Sequence, residues 1–144
     1  MAFICSNSWL DVDFGIPLKE YMKDNQHNIS IIDSSKQRQF VSAAVNTIIS
    51  ISKKGRDKGE DIKFINLEGD FAHSLSDPEM RNERLVKNDD LGAKEKWLIF
   101  TRGPDIYFQV LESMHFDRLD KFALITRGYT SGANDFFFIE KGSR

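Results

Sequence analysis

Phe40 is a candidate for contact with a flat ligand, because it is a lone aromatic side chain in a polar stretch. It follows Arg38 and Gln39 and precedes a run of small and β-branched residues that predicts a mostly buried strand. A phenyl ring at the mouth of a strand can anchor a loop, or it can form a platform on which a planar ligand stacks. The local sequence leaves both interpretations open.

A second candidate segment runs from Arg127 to Phe138, with Gly128 and Gly132 ahead of three consecutive phenylalanines. Its small and polar residues at 130 to 134 would let the backbone come close to a ligand or a phosphate. The same composition is also typical of an ordinary β-turn. The charged segment Lys53–Lys63 has a similar pair of interpretations, a solvated turn or a phosphate contact.

The sequence predicts no metal site. His27, His73 and His115 are far apart and lack metal-ligand spacing. The single cysteine, Cys5, excludes a disulfide framework within the chain and any cysteine-rich site, and it suits a reducing cytoplasm.

Composition and charge bound the function classes. The chain has 144 residues, 20 Lys and Arg against 22 Asp and Glu, and a net charge of −2. Nucleic-acid binding would therefore need a local basic patch or a partner. No apolar run reaches membrane-spanning length and the first residues do not resemble a signal peptide, so we expect a cytoplasmic protein with no membrane partner.

Hydrophobic periodicity predicts strand, helix, strand, loop and strand in the first part of the chain. The predicted elements are a buried strand at 3–5, a helix at about 16–25 with Leu18, Tyr21 and Met22 on one face, and strands at 28–32 and about 44–52. The helix fits a crossover between parallel strands, and the short loop before the third strand permits antiparallel pairing with the second. A strand so near the first residue predicts that the chain begins in the middle of a fold.

The later part has weaker signals. We predict a strand at 64–67, a polar and partly helical stretch at 70–91, a helix from Asp105 and a strand at 119–125.

Several stretches, taken in order, carry a resemblance that none carries alone. They are Ser6-Asn7-Ser8-Trp9-Leu10 with Gly15, Ile31-Ile32-Asp33-Ser34, Phe40, Val45-Asn46-Thr47, Lys96-Trp97, Arg102 with Pro104-Asp105-Ile106-Tyr107, and the residues 127–137. The earlier ones resemble the segment after the catalytic motif of N6-adenine DNA methyltransferases, closest to the gamma class with its fused type IIG restriction–modification enzymes. The later ones are similar to the junction with the target-recognition domain in those proteins.

The resemblance implies a mechanism. These enzymes transfer a methyl group from S-adenosylmethionine to adenine, which must first leave the duplex. Phe40 matches the family position whose ring packs against the flipped adenine, and such stacking is worth about 1–3 kcal/mol per base. The resemblance also implies candidate DNA-binding residues near the end of the chain: Arg127, Tyr129, Thr130, Ser131 and Asn134.

Two parts of the family pattern are missing from the sequence. No Gly-x-Gly lies between a strand and a helix, and Pro17, Pro78 and Pro104 are too far apart to form the Asp/Asn-Pro-Pro-Tyr/Phe tetrad. We therefore expect no catalytic residue, no cofactor-binding residue and no bound S-adenosylmethionine in this chain alone.

The resulting prediction is an α/β fold: a partial Rossmann-like methyltransferase sheet, then an α+β extension leading into a target-recognition domain. Residues 1–63 would be the C-terminal part of the catalytic domain, and 64–144 the linker and the start of the recognition domain. The predicted function is a methyltransferase fragment that contributes base stacking and DNA contacts; the alternatives are a non-catalytic DNA-binding module and an inactive folded remnant. Predicted partners are duplex DNA, an N-terminal methyltransferase half and a second copy that pairs through an exposed sheet edge.

Overall fold

The computed structural model describes residues 1–34, 46–55, 60–69, 71–113, 115–126 and 128. The chain divides into two compact units, Met1–Phe108 and Gln109–Arg144. The strands are β1 (Ala2–Ser6), β2 (Gln26–Ser34), β3 (Thr47–Lys54), β4 (Asp61–Leu67) and β5 (Arg81–Lys87). The helices are α1 (Ile16–Asn25), α2 (Phe71–Ser76), α3 (Leu98–Arg102) and α4 (Asp105–Glu112).

The first unit is built on a five-stranded mixed sheet in the order β1-β3-β2-β4-β5. The third strand is antiparallel to both of its neighbours, so β1 and β2 run in the same direction with β3 between them. On the other side of β2 lies β4, parallel to it, and β5 closes the sheet antiparallel to β4. Helices and a mixed sheet confirm the predicted α/β class.

The predicted bounds of the first helix and the predicted pairing of the third strand are confirmed. Helix α1 begins and ends at the predicted residues, with Pro17 in its first turn, where proline has no hydrogen bond to lose. It connects two strands of the same direction, as a crossover should. The predicted antiparallel pairing of the third strand with the second is also confirmed, since Ile32 lies opposite Ile49.

The larger core lies on the face of the sheet that packs against α1 and the segments around Trp9 and Trp97. Its buried members are Trp9, Leu10, Met22, Ile29, Ile31, Ile48, Ile62, Phe64, Leu91 and Trp97. Trp97 is fully buried, and its ring contacts Trp9 and Phe64 edge-on at centroid distances of 6.2 and 6.0 Å. Burial of each large apolar side chain contributes about 1.5–3 kcal/mol. Trp97, part of a stretch similar to a domain junction, is thus a core residue.

The predicted apolar face of α1 borders one groove, but only Met22 of its three residues is buried. Leu18 and Tyr21 are exposed, whereas Lys19 and Met22 are buried. The long aliphatic stem of lysine can be buried when its ammonium group finds a partner. Here the Lys19 ammonium donates a 2.8 Å hydrogen bond to the Glu95 carbonyl.

The first strand is exposed, contrary to the prediction of a buried one. Phe3 and Ile4 retain 58% and 50% of their accessible surface. Among the described residues β1 has a single strand neighbour, β3, so one of its sides is open. Apolar composition predicted the strand correctly but could not predict its place at the edge.

The stretch at 70–91 is partly helical as predicted, in α2, but it also contains an unpredicted strand, and the strand predicted at 119–125 is wrong. The polar residues 81–87 form a strand, β5, because the edge of β4 offers backbone hydrogen bonds that do not require apolar side chains. Residues 119–125 are not a strand; the segment has one 3-10 turn at Leu119–Lys121, and Leu124 is almost fully exposed. The helix predicted from Asp105 is present as α4.

The predicted boundary between residues 63 and 64 falls inside β4, so the sheet is continuous across it. Whether the chain from 64 to 144 leads into a recognition domain stays a prediction. Across the described ranges, no helix has the length and apolar character needed to cross a lipid bilayer.

Candidate functional site

The residues predicted to contact DNA lie outside the described part of the chain. Phe40 falls within 35–45, and the later candidates Arg127, Tyr129, Thr130, Ser131 and Asn134 fall among the other undescribed positions. Their roles therefore stay predictions. The flanking residues Ser34 and Asn46 are described, however, and they fix where the Phe40 segment is attached.

Both attachment points lie at one edge of the sheet. Ser34 ends β2, and Asn46 directly precedes β3 and accepts a 3.0 Å hydrogen bond from the amide of Asn7, just beyond β1. Because β1, β2 and β4 run in the same direction, their last residues, Ser6, Ser34 and Leu67, lie at this same edge. We call this end of the sheet, where the three strands finish, the carboxyl edge; the term does not refer to an outer strand. Open α/β sheets commonly bind ligands outside the carboxyl ends of their strands.

An ion pair with a buried carboxylate lies at the carboxyl edge. The Arg102 guanidinium donates from Nε to Asp33 Oδ2 at 2.5 Å and from Nη2 to Asp33 Oδ1 at 3.0 Å. The Asp33 side chain is fully buried, whereas that of Arg102 is 31% exposed. The Thr101 hydroxyl lies 3.3 Å from Asp33 Oδ2 and 2.9 Å from the Leu98 carbonyl, which also accepts from it.

This pair fixes α3 to the end of β2 and orients the guanidinium plane. The hydrogen bond to Asp33 raises the pKa of Arg102 despite the opposing effect of burial, so this side chain stays charged. A two-bond contact between guanidinium and carboxylate fixes the geometry of an ion pair as well as strengthening it. The remaining exposed surface of Arg102 is therefore presented in a fixed position.

Beside the pair lies a polar cleft of about 350 Å³. Its lining residues come from β4, β5, α3 and the start of α4: Asn66, Asn82, Glu83, Arg84, Phe100, Thr101, Arg102, Gly103, Pro104 and Asp105. In the sheet register Asp33 lies opposite Asn66, and Asn66 lies opposite Asn82, so all three side chains share one face. Sheet register thus places two carboxamides next to the ion pair.

A second arginine is also held in place at the cleft. Arg84 donates to Asp105 Oδ1 at 2.6 Å, and its guanidinium carbon lies 3.6 Å from the centroid of the Phe108 ring. Each cleft arginine has its own carboxylate, so the cleft holds two oriented guanidinium groups without a large excess of charge.

Three buried polar atoms at the carboxyl edge find no partner among the described residues: Ser34 Oγ, Thr47 Oγ1 and Asn66 Oδ1. Burying an unpaired polar atom costs about 1–3 kcal/mol, so this edge favours a further hydrogen-bonding group. In the same described ranges no three His, Cys, Asp or Glu side chains are grouped as metal ligands would be.

The cleft residues supply binding groups: guanidinium, carboxamide and hydroxyl. Carboxamides and guanidinium groups pair with base edges, and arginine also contacts phosphates. The sequence predicted no role for any of these polar residues. Asp33 and Arg102 belong to stretches that carry the family resemblance, whereas Asn66, Asn82 and Arg84 do not. A polar residue at the end of an apolar run, as at Asp33 and Asn66, was the available signal.

No model of a protein family matches the chain, and no curated protein is found to be related to it.

Proposed function

We propose that this chain is part of an S-adenosylmethionine-dependent DNA adenine-N6 methyltransferase of a restriction–modification system. It contributes target-base stacking and DNA contacts and is inactive alone. One observation carries the proposal: the segment that contains Phe40 is joined at both ends to the carboxyl edge, where a polar cleft and an oriented arginine also lie.

The attachment of the Phe40 segment supports a base-stacking role. The segment links Ser34 to Asn46, which flank neighbouring strands. A flat base leaving a duplex needs an aromatic surface to replace the stacking that it loses. The described ends of the segment, Ser34 and Asn46, lie at the carboxyl ends of the strands, where open α/β sheets commonly bind ligands.

The cleft supports DNA contact beside that base. Arg102 and Arg84 are oriented by Asp33 and Asp105, so they can meet a phosphate or a base edge with little loss of side-chain freedom. Asn66 and Asn82 add donors and acceptors of the kind that read adenine.

The methyl donor does not fit the residues that are described. The connection from β1 to α1 has a glycine, Gly15, but a Cβ at that position would lie 1.8 Å from the Trp9 carbonyl oxygen. Gly15 is thus required by packing against Trp9 and leaves no open cradle. S-adenosylmethionine would supply the methyl group from a site in the other half of the enzyme.

The stacking role is tested with a fluorescein-labelled duplex in which one adenine is unpaired opposite an abasic site. Phe40→Ala should weaken binding by about 5- to 150-fold, which corresponds to about 1–3 kcal/mol of stacking. Phe14→Ala is the matched control, since Phe14 is 72% exposed, lies outside the segment between Ser34 and Asn46, and does not line the cleft. Fluorescence anisotropy at fixed low salt measures both affinities.

Equal affinity of the Phe40→Ala variant and the parent chain would contradict the stacking role. A second assay tests the enzyme class: the chain is mixed with an N-terminal methyltransferase half and radiolabelled methyl donor. Label on adenine that is lost in Phe40→Ala supports the proposal. DNA binding without label favours the alternative of a non-catalytic binding module.

A further inference from the structure

The two outer strands of the sheet differ in how they meet solvent. Strand β5 carries charged side chains along its length, Arg81, Glu83, Arg84 and Lys87 among them, as edge strands that resist pairing usually do. Strand β1 has the sequence Ala-Phe-Ile-Cys-Ser, with no charge, no proline and no bulge. No other described strand covers its outer side, which can serve as a template for another strand.

The hydrogen-bond phase of β1 determines which of its backbone groups are free. Met1 and Ser52 exchange both backbone hydrogen bonds, at 2.6 and 3.0 Å, and the Asn7 amide donates to the Asn46 carbonyl. Because backbone groups in an antiparallel pair alternate in direction, the odd-numbered residues face β3. Ala2, Ile4 and Ser6 therefore direct their N–H and C=O groups toward the open side.

We propose that a second copy of this chain pairs with β1, antiparallel and centred on Ile4. A two-fold axis through that point places Ile4 opposite Ile4 of the second copy, and Ala2 opposite Ser6 on each side. These three pairs use every outward residue of the strand, and each exchanges two backbone hydrogen bonds. A two-fold interface of this kind joins the same surface on both copies.

The side chains agree with this register. No charged residue lies between Ala2 and Ser8, so no like charges meet across the axis. On the face that carries α1, Phe3 of one copy lies opposite Cys5 of the other, and both are exposed in the single chain. Beside them an apolar groove of about 260 Å³, lined in part by Leu18, Tyr21 and Met22, can accept the second copy's Phe3.

The pairing explains the two exposed apolar residues of α1. Leu18 and Tyr21 lie on the helix that covers this end of the sheet and border the same groove. Burial of apolar side chains stabilises association, and a contact centred on one five-residue strand remains small, so we expect reversible dimers. The pairing does not depend on the DNA role proposed above.

Sedimentation equilibrium on the full chain tests the proposal. The parent should approach twice its 16.6 kDa mass at about 100 μM and dissociate on dilution. Ile4→Lys should weaken the dimer by about 10-fold or more, because two lysines would meet at the axis. Leu85→Lys is the matched control: Leu85 is 61% exposed on the opposite outer strand, so this change should leave the dimer intact.

Cross-linking tests the register and guards against a variant that fails to fold. In a Cys5→Ser background, Ile4→Cys places two thiols in a hydrogen-bonded pair with Cα atoms about 5.5 Å apart, which suits a disulfide. Cys5 of the parent would lie about 7–8 Å from its counterpart and should cross-link poorly. Rapid disulfide formation by Ile4→Cys in the Cys5→Ser background, but not by the parent, supports the register. Monomeric parent protein at about 100 μM, or an equal effect of both lysine variants, would overturn the proposal.

Discussion

Two cationic side chains in the first unit, Arg102 and Lys19, are held in different ways. Arg102 forms two hydrogen bonds with the buried carboxylate of Asp33, and its pKa is raised. Lys19 is almost completely buried and has a carbonyl oxygen and an aromatic ring as its nearest partners: the Glu95 carbonyl at 2.8 Å and the Trp97 ring centroid at 5.6 Å. Burial lowers the pKa of Lys19, against the attraction of Asp11, Asp13 and Glu95.

The different partners of Arg102 and Lys19 indicate that the positive charge of Arg102 matters more to the stability of the fold than that of Lys19. The Arg102–Asp33 pair connects α3 to β2, and removing one member leaves the other without its charge partner. Lys19 contributes mainly its aliphatic stem to the core, and its charge is a cost that a neutral side chain of similar length would not carry. The site at the carboxyl edge therefore depends on having both Arg102 and Asp33, which we call the matched pair. The core near Trp97 does not depend on the positive charge of Lys19.

Replacing Arg102 should have the largest effect. Arg102→Met leaves Asp33 as a fully buried carboxylate whose remaining described partner is the Thr101 hydroxyl, so we expect a loss of about 3–5 kcal/mol in the free energy of unfolding. Urea denaturation measures the loss. In the double variant Asp33→Leu with Arg102→Met both charges are gone, and much of the stability should return. A double variant that is less stable than the single one would contradict the matched-pair interpretation.

Replacing Asp33 should have a smaller effect. Asp33→Asn leaves a guanidinium that is 31% exposed and can turn toward water, so we expect a loss of about 1–3 kcal/mol. The same denaturation experiment gives the comparison with Arg102→Met. If the two losses were reversed in size, the unequal burial of the partners could not be what sets their cost.

Replacing Lys19 should change stability least. Lys19→Met keeps the buried stem and removes the charge, but it leaves the Glu95 carbonyl without this donor, so we expect a change within about 1 kcal/mol at pH 7. Because the pKa of Lys19 is lower in the folded chain than its ordinary 10.5, the unfolded chain binds more protons between the two values. The parent should therefore gain stability relative to Lys19→Met as the pH rises toward 10.5.

Denaturation midpoints of the two proteins between about pH 8 and 10.5 measure this difference. If the stability of the parent relative to Lys19→Met falls or stays constant with rising pH, burial does not disfavour the Lys19 charge.

Much of the candidate site could not be predicted from sequence, because its parts are distant along the chain. Asp33 and Arg102 are separated by 69 positions, and no local pattern links them. Asn66 and Asn82 lie opposite each other because of the register in which β4 and β5 pair. The sequence of β5 is polar and does not predict a strand. The role of Phe40 stays a prediction. The structure describes Ser34 and Asn46, the two residues to which its segment is attached.

The sequence by itself determined the elements whose signals are local. Pro17 at the start of α1, the β-branched run before Lys53 and the apolar residues at Phe64–Leu67 each act on their own few residues, and helix or strand formed where they predicted it. Only the tertiary structure decided the rest: the insertion of β3 between β1 and β2, the burial of Lys19 in place of Leu18, and the exposure of β1. The physical reason is that pairing and burial depend on which distant surfaces meet, and backbone propensity carries no information about them.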